Sequence, residues 1–194
     1  MLISRPVSDS SADVTFKSSD GVLFKLFKTH LGTTSAGFCA PDMIVVDEQP
    51  FSLEEPSNVL ETLFQFIHPC PEARQYRQPS VMDLEPKLFF AVAEAAEKYI
   101  VYGAMNIFLT RMQWLAFRFR SGVLDIYHLI NSQVVHYRPV EVLNHCYKHG
   151  YKDLANIAAH NSLAQPLGSI VDGLTTPGLL ARWVPLLLLL HVIM

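Results

Sequence analysis

Two short stretches near the start of the chain alternate between apolar and polar residues, which is the spacing of a β-strand with one buried face. Their apolar positions are Val14 and Phe16, then Val22, Phe24 and Leu26. Asp20-Gly21 lies between them, and such a pair indicates a hairpin because glycine accepts the positive φ of the turn. A β-branched run at 44–46 predicts a third strand.

After this run, apolar residues recur at the three- and four-residue spacing of helices. The first helix begins after Asn58, which together with Glu61 three residues later resembles a capping arrangement, and Pro69 ends it. The second has Pro86 in its first turn and an apolar face formed by Leu88, Val92, Ala95 and Tyr99. Gly103 is predicted to separate this helix from the next one, which carries Ile107, Phe108, Met112 and Leu115.

Beyond residue 120 the whole pattern is helical. A face of four apolar residues over 123–130 predicts one helix, and Pro139 and Gly150 delimit the next. Asp153 is suited to cap a partner helix, so the two helices form a helical hairpin joined by Lys148–Lys152. Thr176-Pro177 begins a final helix.

Strands at the front and helices behind predict an α+β fold, in which a small sheet with flanking helices is followed by an all-helical extension. We divide the chain into a loose Ser-rich arm over 1–12, an α+β domain over 13–116 and a helical extension over 117–194. Half of the 194 residues are hydrophobic, which excludes a disordered chain. The mean hydropathy of +0.22 is high, so we expect part of the apolar surface to meet a partner.

The net charge and the number of cysteines limit the classes of binding partner and the cellular compartments that we expect for this protein. A net charge of −3 argues against nucleic acid and anionic lipid as partners. Three widely spaced cysteines favour a reducing compartment, and no signal-peptide core precedes Pro6, so we expect an intracellular protein, cytoplasmic or nuclear. The chain has no serine-hydrolase or phosphate-loop motif, so we expect no enzymatic activity and no cofactor.

The C-terminal segment is the most apolar part of the chain. Five leucines follow Pro185, with Leu186 and Leu189 as candidate contact residues. The run is too short for a bilayer, which needs about 20 residues of helix. We expect another part of the protein or a second copy to cover it, and a tail-anchored membrane protein is the alternative.

Several short motifs, taken in order, resemble a BTB/POZ domain of the fungal type. They are Asp13-Val14, Gly21, Phe24, Lys28-x-x-Leu31-x-x-x-Ser35-x-x-Phe38, Leu63–Pro69 and the helix end Ala91–Tyr99. The region from Pro139 to Pro166 is similar to the helices that follow this domain in many fungal members. The resemblance implies a non-enzymatic protein-interaction module, often a homodimer and sometimes an adaptor for a cullin-type ubiquitin ligase.

If a family-like dimer forms, the resemblance places its contacts on the first helix, at Phe27, His30, Leu31 and Thr34. Leu31 is also a core position by the same motif. Gly32 and Gly37 each lower the helix propensity of this region by about 1 kcal/mol. Only five residues separate Phe38 from the predicted strand at 44–46, which is too short for the helix that cullin binders use and argues against an adaptor role.

Two patterns suggest other chemistry. His145 and His149 share a helix face and, with Cys146 nearby, form an alternative zinc site of a metal-binding protein or enzyme. Cys146 also falls on the apolar stripe, so our main expectation is that no metal binds. Arginines alternate with aromatic residues over 111–120, as in a base-stacking surface. In an acidic chain we expect instead that the aromatic residues pack and the arginines reach solvent.

Overall fold

The computed structural model describes residues 12–38, 49–67, 79–116 and 138–183. In these residues the fold is α+β, with a small sheet and flanking helices, as predicted. The chain divides into two compact units, 1–109 and 110–194. The division falls inside a helix, whereas the pattern analysis placed a boundary at 116, where this helix ends.

The first unit contains a three-stranded sheet with the order β2-β1-β3. Strands β1 (Val14–Lys17) and β2 (Leu23–Leu26) are antiparallel, with Phe16 opposite Phe24, which confirms the predicted hairpin. Gly21 in the turn has a φ of +87°. Strand β3 (Phe51–Ser52) lies parallel to β1 and was not predicted. The predicted strand at 44–46 lies outside the described residues.

Helix α1 spans Lys28–Thr34, and helix α2 spans Ser57–Phe64. The carboxylate of Asp20, in the hairpin turn, accepts hydrogen bonds from the N–H and the hydroxyl of Ser57 at 2.9 and 2.6 Å. The predicted cap at Asn58 is therefore wrong, because α2 begins one residue earlier and a distant turn satisfies its first N–H. The predicted end at Pro69 lies outside the described residues.

Helix α3 spans Pro86–Lys98, and helix α4 spans Tyr102–Ala116. Pro86 occupies the first turn of α3 as predicted, and the Glu85 carboxylate caps this helix by accepting from the N–H groups of Lys87 and Leu88. The buried face of α3 is Phe89, Val92, Ala93, Ala95 and Ala96. This corrects the predicted face, because Leu88 and Tyr99 are only half-buried.

The break between α3 and α4 was predicted at Gly103, and this prediction is wrong. Gly103 lies in the first turn of α4, and the chain turns at Ile100, which has a φ of +50°. The turn is closed by hydrogen bonds from the N–H of Val101 to the carbonyl of Ala96 at 2.9 Å and from the N–H of Ile100 to that of Glu97 at 3.2 Å.

The core of the first unit is aromatic. Phe64 of α2 packs against both strands of the hairpin, with its ring centroid 5.6 Å from that of Phe16 and 5.2 Å from that of Phe24. All three rings are fully buried, and Phe38 packs on Phe16 at 5.4 Å. Burying each such side chain contributes about 1.5–3 kcal/mol. Tilted and edge-to-face contacts between aromatic rings therefore join the sheet to α2.

The second unit contains helices α5 (Pro139–His149), α6 (Lys152–Ser162), α7 (Leu167–Gly173) and α8 (177–183). The predicted helical hairpin of α5 and α6 is confirmed, with Gly150 at a φ of +80° ending α5. Asp153 was predicted to cap α6, which is wrong because Tyr151 holds the cap position and Asp153 lies in the first turn. The predicted helix at 123–130 lies outside the described residues.

Apolar faces of α5 and α6 form the core of the second unit, with Val142, Leu143, Cys146, Ala158 and Ala159 buried. The inward position predicted for Cys146 is confirmed. The loop before α8 is fastened by Asn144, which donates to the Gly173 carbonyl at 2.7 Å and accepts from the N–H groups of Thr175 and Thr176. Gly173 approaches α5 so closely that a Cβ there would lie 2.8 Å from Val140.

Candidate interaction surface

Helix α1 places three of its four predicted contact residues partly at the surface. Phe27 precedes the helix, and its ring meets that of His30 edge-on at a centroid distance of 5.4 Å. Thr34 is half-buried, and its hydroxyl donates to the His30 carbonyl at 2.7 Å. Leu31 is 2% exposed and belongs to the core. Of the four predicted contact residues, Phe27, His30 and Thr34 are therefore half-buried, and the exposed residues of α1 itself are Thr29, Gly32 and Thr33.

The start of α1 is fixed by an acidic side chain. The Asp13 carboxylate accepts a hydrogen bond of 2.8 Å from the N–H of Lys28, the first residue of the helix. Phe27 occupies the cap position and makes no side-chain hydrogen bond to the helix. Asp13 thus accepts the hydrogen bond that the side chain of the cap residue would otherwise accept. The cap position can therefore be occupied by an aromatic residue.

The chain leaving α1 is bound to the end of α3. The hydroxyl of Ser35 and the N–H of Gly37 both donate to the Tyr99 carbonyl, at 2.6 and 2.9 Å. The N–H of Ala36 donates to the Ile100 carbonyl at 3.2 Å, and Ser35 forms a β-bridge with Val101. A Cβ at Gly37 would lie 2.5 Å from the Tyr99 carbonyl oxygen, so only glycine allows this approach. The two segments are therefore tightly joined.

Ile100 adopts a strained backbone conformation at this junction. Its φ of +50° lies in the left-handed region, which a β-branched residue rarely occupies. Such a conformation costs about 1–3 kcal/mol and persists only where its surroundings hold it. The Ile100 side chain is nevertheless 39% exposed, and the neighbouring Tyr102 is 51% exposed. The fold thus holds two large apolar side chains outward next to the end of α1.

A charged group borders this junction. Lys98 forms ion pairs of 2.8 Å with both Glu54 and Glu55, and the Tyr99 hydroxyl donates to Glu55 at 2.6 Å. Tyr99 also stacks on Phe38 with a centroid distance of 4.5 Å and an interplanar angle of 12°. The group therefore connects the surface to the aromatic core.

The charged group changes the acidity of its members. Burial and the hydrogen bond to Glu55 raise the pKa of Tyr99 to about 12. Burial alone would raise the pKa of Glu55, but the hydrogen bonds from Lys98 and Tyr99 outweigh it and lower that pKa. Contacts with Glu54 and Glu55 raise the pKa of Lys98. All three groups therefore keep their ordinary charge states at neutral pH.

In the second unit, the structure brings the two predicted histidines together. The rings of His145 and His149 lie 4.6 Å apart between centroids. Cys146 is fully buried on the apolar face of α5, so the thiol belongs to the core. Leu186 and Leu189 lie outside the described residues.

The alternating arginines and aromatic residues do not lie as expected where they are described. Arg111 is buried and Trp114 is 52% exposed, the reverse of the predicted packing. The residues at 117–120 lie outside the described part of the chain. The expectation failed because hydrophobicity ranks side chains by type, whereas the tertiary packing of α4 decides which of its faces is covered.

Ile100 and Tyr102 were missed as surface residues by the pattern analysis. Apolar residues after a helix are usually assigned to the core, and no residue type marks Ile100 as a turn position. The only signal is the run Tyr99-Ile100-Val101-Tyr102, which joins two helices without glycine or proline. Such a link requires an ordinary residue to adopt a turn conformation.

Within the described ranges, none of the helices has both the length and the apolar character needed to cross a membrane. A comparison of the sequence with protein-family models and with curated proteins found no match.

Proposed function

We propose that this chain is a non-enzymatic, BTB/POZ-like protein-interaction module that self-associates through its first unit. The proposed interface, here called the α1–Ile100 surface, consists of Phe27, His30, Thr34, Ile100 and Tyr102. The proposal rests on one observation above all, the outward display of Ile100 and Tyr102 at a strained and firmly tied junction.

Strain at an exposed apolar residue argues for a binding role. A surface turn would be more stable with glycine or asparagine at a φ of +50°, and neither would expose a large apolar side chain. Isoleucine at position 100 costs folding free energy in the single chain. Burial of that side chain against a partner would stabilise the complex by about 25 cal/mol for each Å² of apolar surface removed from water.

A second copy of the chain is the partner that the surface best fits. Its apolar centre has a polar border, which is the composition of protein interfaces. The border carries both signs of charge, with Lys98 on one side of the ion pairs and Glu54 and Glu55 on the other. In a twofold dimer the same patch meets itself, so a border with both signs avoids repulsion between like charges.

Sedimentation velocity of the full chain across micromolar concentrations tests this proposal. We expect a reversible dimer that Ile100→Gly weakens, because the substitution removes the apolar contact. The same substitution relieves the left-handed strain and should stabilise the single chain by about 1–2 kcal/mol. Loss of association therefore cannot be attributed to unfolding. Tyr102→Ala should also weaken the dimer.

Val171→Ala is the matched control, since Val171 is an exposed apolar residue of α7 in the other unit. It should leave the association constant unchanged. A wild-type chain that remains monomeric at high micromolar concentration would refute self-association. A dimer that tolerates both Ile100→Gly and Tyr102→Ala would refute this surface as its interface.

A further inference from the structure

We infer that His145 and His149 form a chelating site for a divalent transition-metal ion, of which Zn²⁺ and Cu²⁺ are the best suited. The site lies in the second unit and does not depend on the proposed self-association. Imidazole nitrogens suit ions of borderline softness, whereas Mg²⁺ and Ca²⁺ prefer oxygen ligands.

The positions of the two rings suit chelation. Residues four apart on a helix lie one above the other on the same face. The ring centroids are 4.6 Å apart, and a pair of their ligand nitrogens lies within 4.8 Å. An ion bonded to both rings at about 2.0–2.1 Å requires these nitrogens to approach by roughly one more ångström, which ring rotation provides. Each ring has two nitrogens, so one can bind the ion while the other makes a hydrogen bond.

The surroundings position one ring and leave the other accessible. His145 is 4% exposed, and the ring of Tyr151 lies almost parallel to it, at 8° and a centroid distance of 6.5 Å. Tyr151 is itself held by a hydrogen bond of 2.8 Å from its N–H to the Cys146 carbonyl. His149 is half-buried, so an ion from solvent can reach it. A ligand that is already positioned lowers the entropic cost of binding, and the partial exposure of His149 gives the ion a route from solvent.

The end of the helix adds a favourable field. His149 is the last residue of α5, and the partial negative charge at a helix C-terminus attracts cations. The positive charge of Lys148, next to His149 in the chain, would repel a cation, but Lys148 is exposed, so solvent and salt screen this repulsion. The C-terminus of α5 therefore contributes a favourable interaction with a cation at His149.

This proposal departs from the main expectation that no metal binds, and its ligands also differ from those of the alternative zinc site, which included Cys146. Cys146 is buried on the apolar face of α5 and is not part of the histidine group. Neighbouring residues on a helix do not face each other, which explains why the thiol turns away from His145. Two imidazoles occupy two positions of a four-coordinate ion and leave the others for further ligands.

A competition titration of the full chain with Zn²⁺ and a chromophoric chelator tests the site. We expect one equivalent of Zn²⁺ to bind and His149→Gln to weaken binding at least tenfold, since even outer-shell changes cost about 10–100-fold. His160→Gln is the matched control, because His160 is an exposed histidine on α6. Its Zn²⁺ affinity should equal that of the wild-type chain.

Electron paramagnetic resonance with Cu²⁺, at protein concentrations that keep the ion bound, reports the ligand atoms directly. The wild-type spectrum should show coupling to two nitrogens, and His149→Gln should reduce this to one. Circular dichroism of each variant verifies that the helices remain. The inference is overturned if Zn²⁺ does not bind stoichiometrically, or if His149→Gln binds it as tightly as the wild-type chain.

Discussion

The first unit contains polar connections that reach further along the chain than those of the second unit. In the first unit, the hydroxyl of Ser35 bonds to the carbonyl of Tyr99, 64 residues away, and Asp20 bonds to Ser57 across 37 residues. In the second unit, the α5–α6 hairpin closes through a bond from Tyr151 to Cys146, only five residues apart. Asn144 spans 29 residues to reach Gly173.

The longer connections of the first unit explain why the strained and exposed residue, Ile100, lies in that unit. A turn between neighbouring helices is formed by local residues, and Gly150 fills its left-handed position without strain. The turn at Ile100 also has a local closing bond, from Val101 to Ala96, but the distant segment at 35–37 bonds to it in addition and helps to hold an unfavourable local residue in place. Long-range contacts therefore allow the first unit to keep a side chain that the local conformation disfavours.

The largest expected effect is on the aromatic core of the first unit. Phe64→Ala should lower the free energy of unfolding by about 3–5 kcal/mol, because it leaves a cavity among Phe16, Phe24 and Phe38. Urea denaturation measures the loss. Phe64→Leu is the control and should cost less than about 1.5 kcal/mol, since it keeps most of the volume. A loss below about 1 kcal/mol for Phe64→Ala would contradict the view that long-range ring contacts hold this unit.

The next effect concerns the longest polar connection of the second unit. Asn144→Ala removes a donor to Gly173 and an acceptor for Thr175 and Thr176, and should cost about 1–3 kcal/mol in urea denaturation. Asn144→Asp keeps the acceptor and loses the donor, so its cost should be smaller. Equal stability of all three proteins would show that local helix contacts alone hold the second unit.

Substitution of one glycine in a turn of each unit allows the stability of the two turns to be compared. Gly21 and Gly150 have φ values of +87° and +80°, and open space surrounds the Cβ position of each. Alanine at either position should therefore cost only the left-handed conformation, about 1–2 kcal/mol in thermal or urea unfolding. Gly168→Ala in α7 is the control, because it also has open space and no positive φ, and should stabilise by about 0.4–1 kcal/mol. A much larger cost at Gly21 alone would reveal a packing role for the hairpin turn.

The smallest effect is a pH dependence specific to the first unit. The pKa of Tyr99 is raised to about 12, above the value of about 10 in an unfolded chain. The folded state thus holds this proton more tightly, so the stabilisation is complete below pH 10 and is lost as the pH rises towards 12. Ultraviolet titration of tyrosinate should lose its component near pH 12 in Tyr99→Phe. Tyr102→Phe should retain that component, and a titration identical for both variants would disprove the assignment.

The sequence pattern was sufficient to predict those elements whose conformation is set by residues close together in the chain. The Asp20-Gly21 hairpin, the proline in the first turn of α3 and the α5–α6 hairpin closed by Gly150 were all predicted. The juxtaposition of His145 and His149 followed from the helical repeat alone. In each case the residues that determine the conformation lie within a few positions of it, so their spacing contains the information.

The failed predictions share a different cause. Asn58 has the chemistry of a helix cap, but Asp20 from the hairpin turn bonds to Ser57 and moves the start of α2. Gly103 looked like a breaker, but bonds from the distant 35–37 segment hold the residues around Ile100. A local signal was present each time, and a contact from far along the chain overrode it.

The amino-acid sequence by itself determined the α+β character, the hairpin at the front, the helical hairpin behind it and the face shared by the two histidines. Only the tertiary structure decided which side chains meet solvent at the α1–Ile100 surface and that Trp114 rather than Arg111 is exposed on α4. Periodicity sets how a segment buries one face, because that depends on neighbours in the chain. Which apolar side chains stay exposed to solvent depends on segments that are distant in the sequence and meet only after the chain has folded.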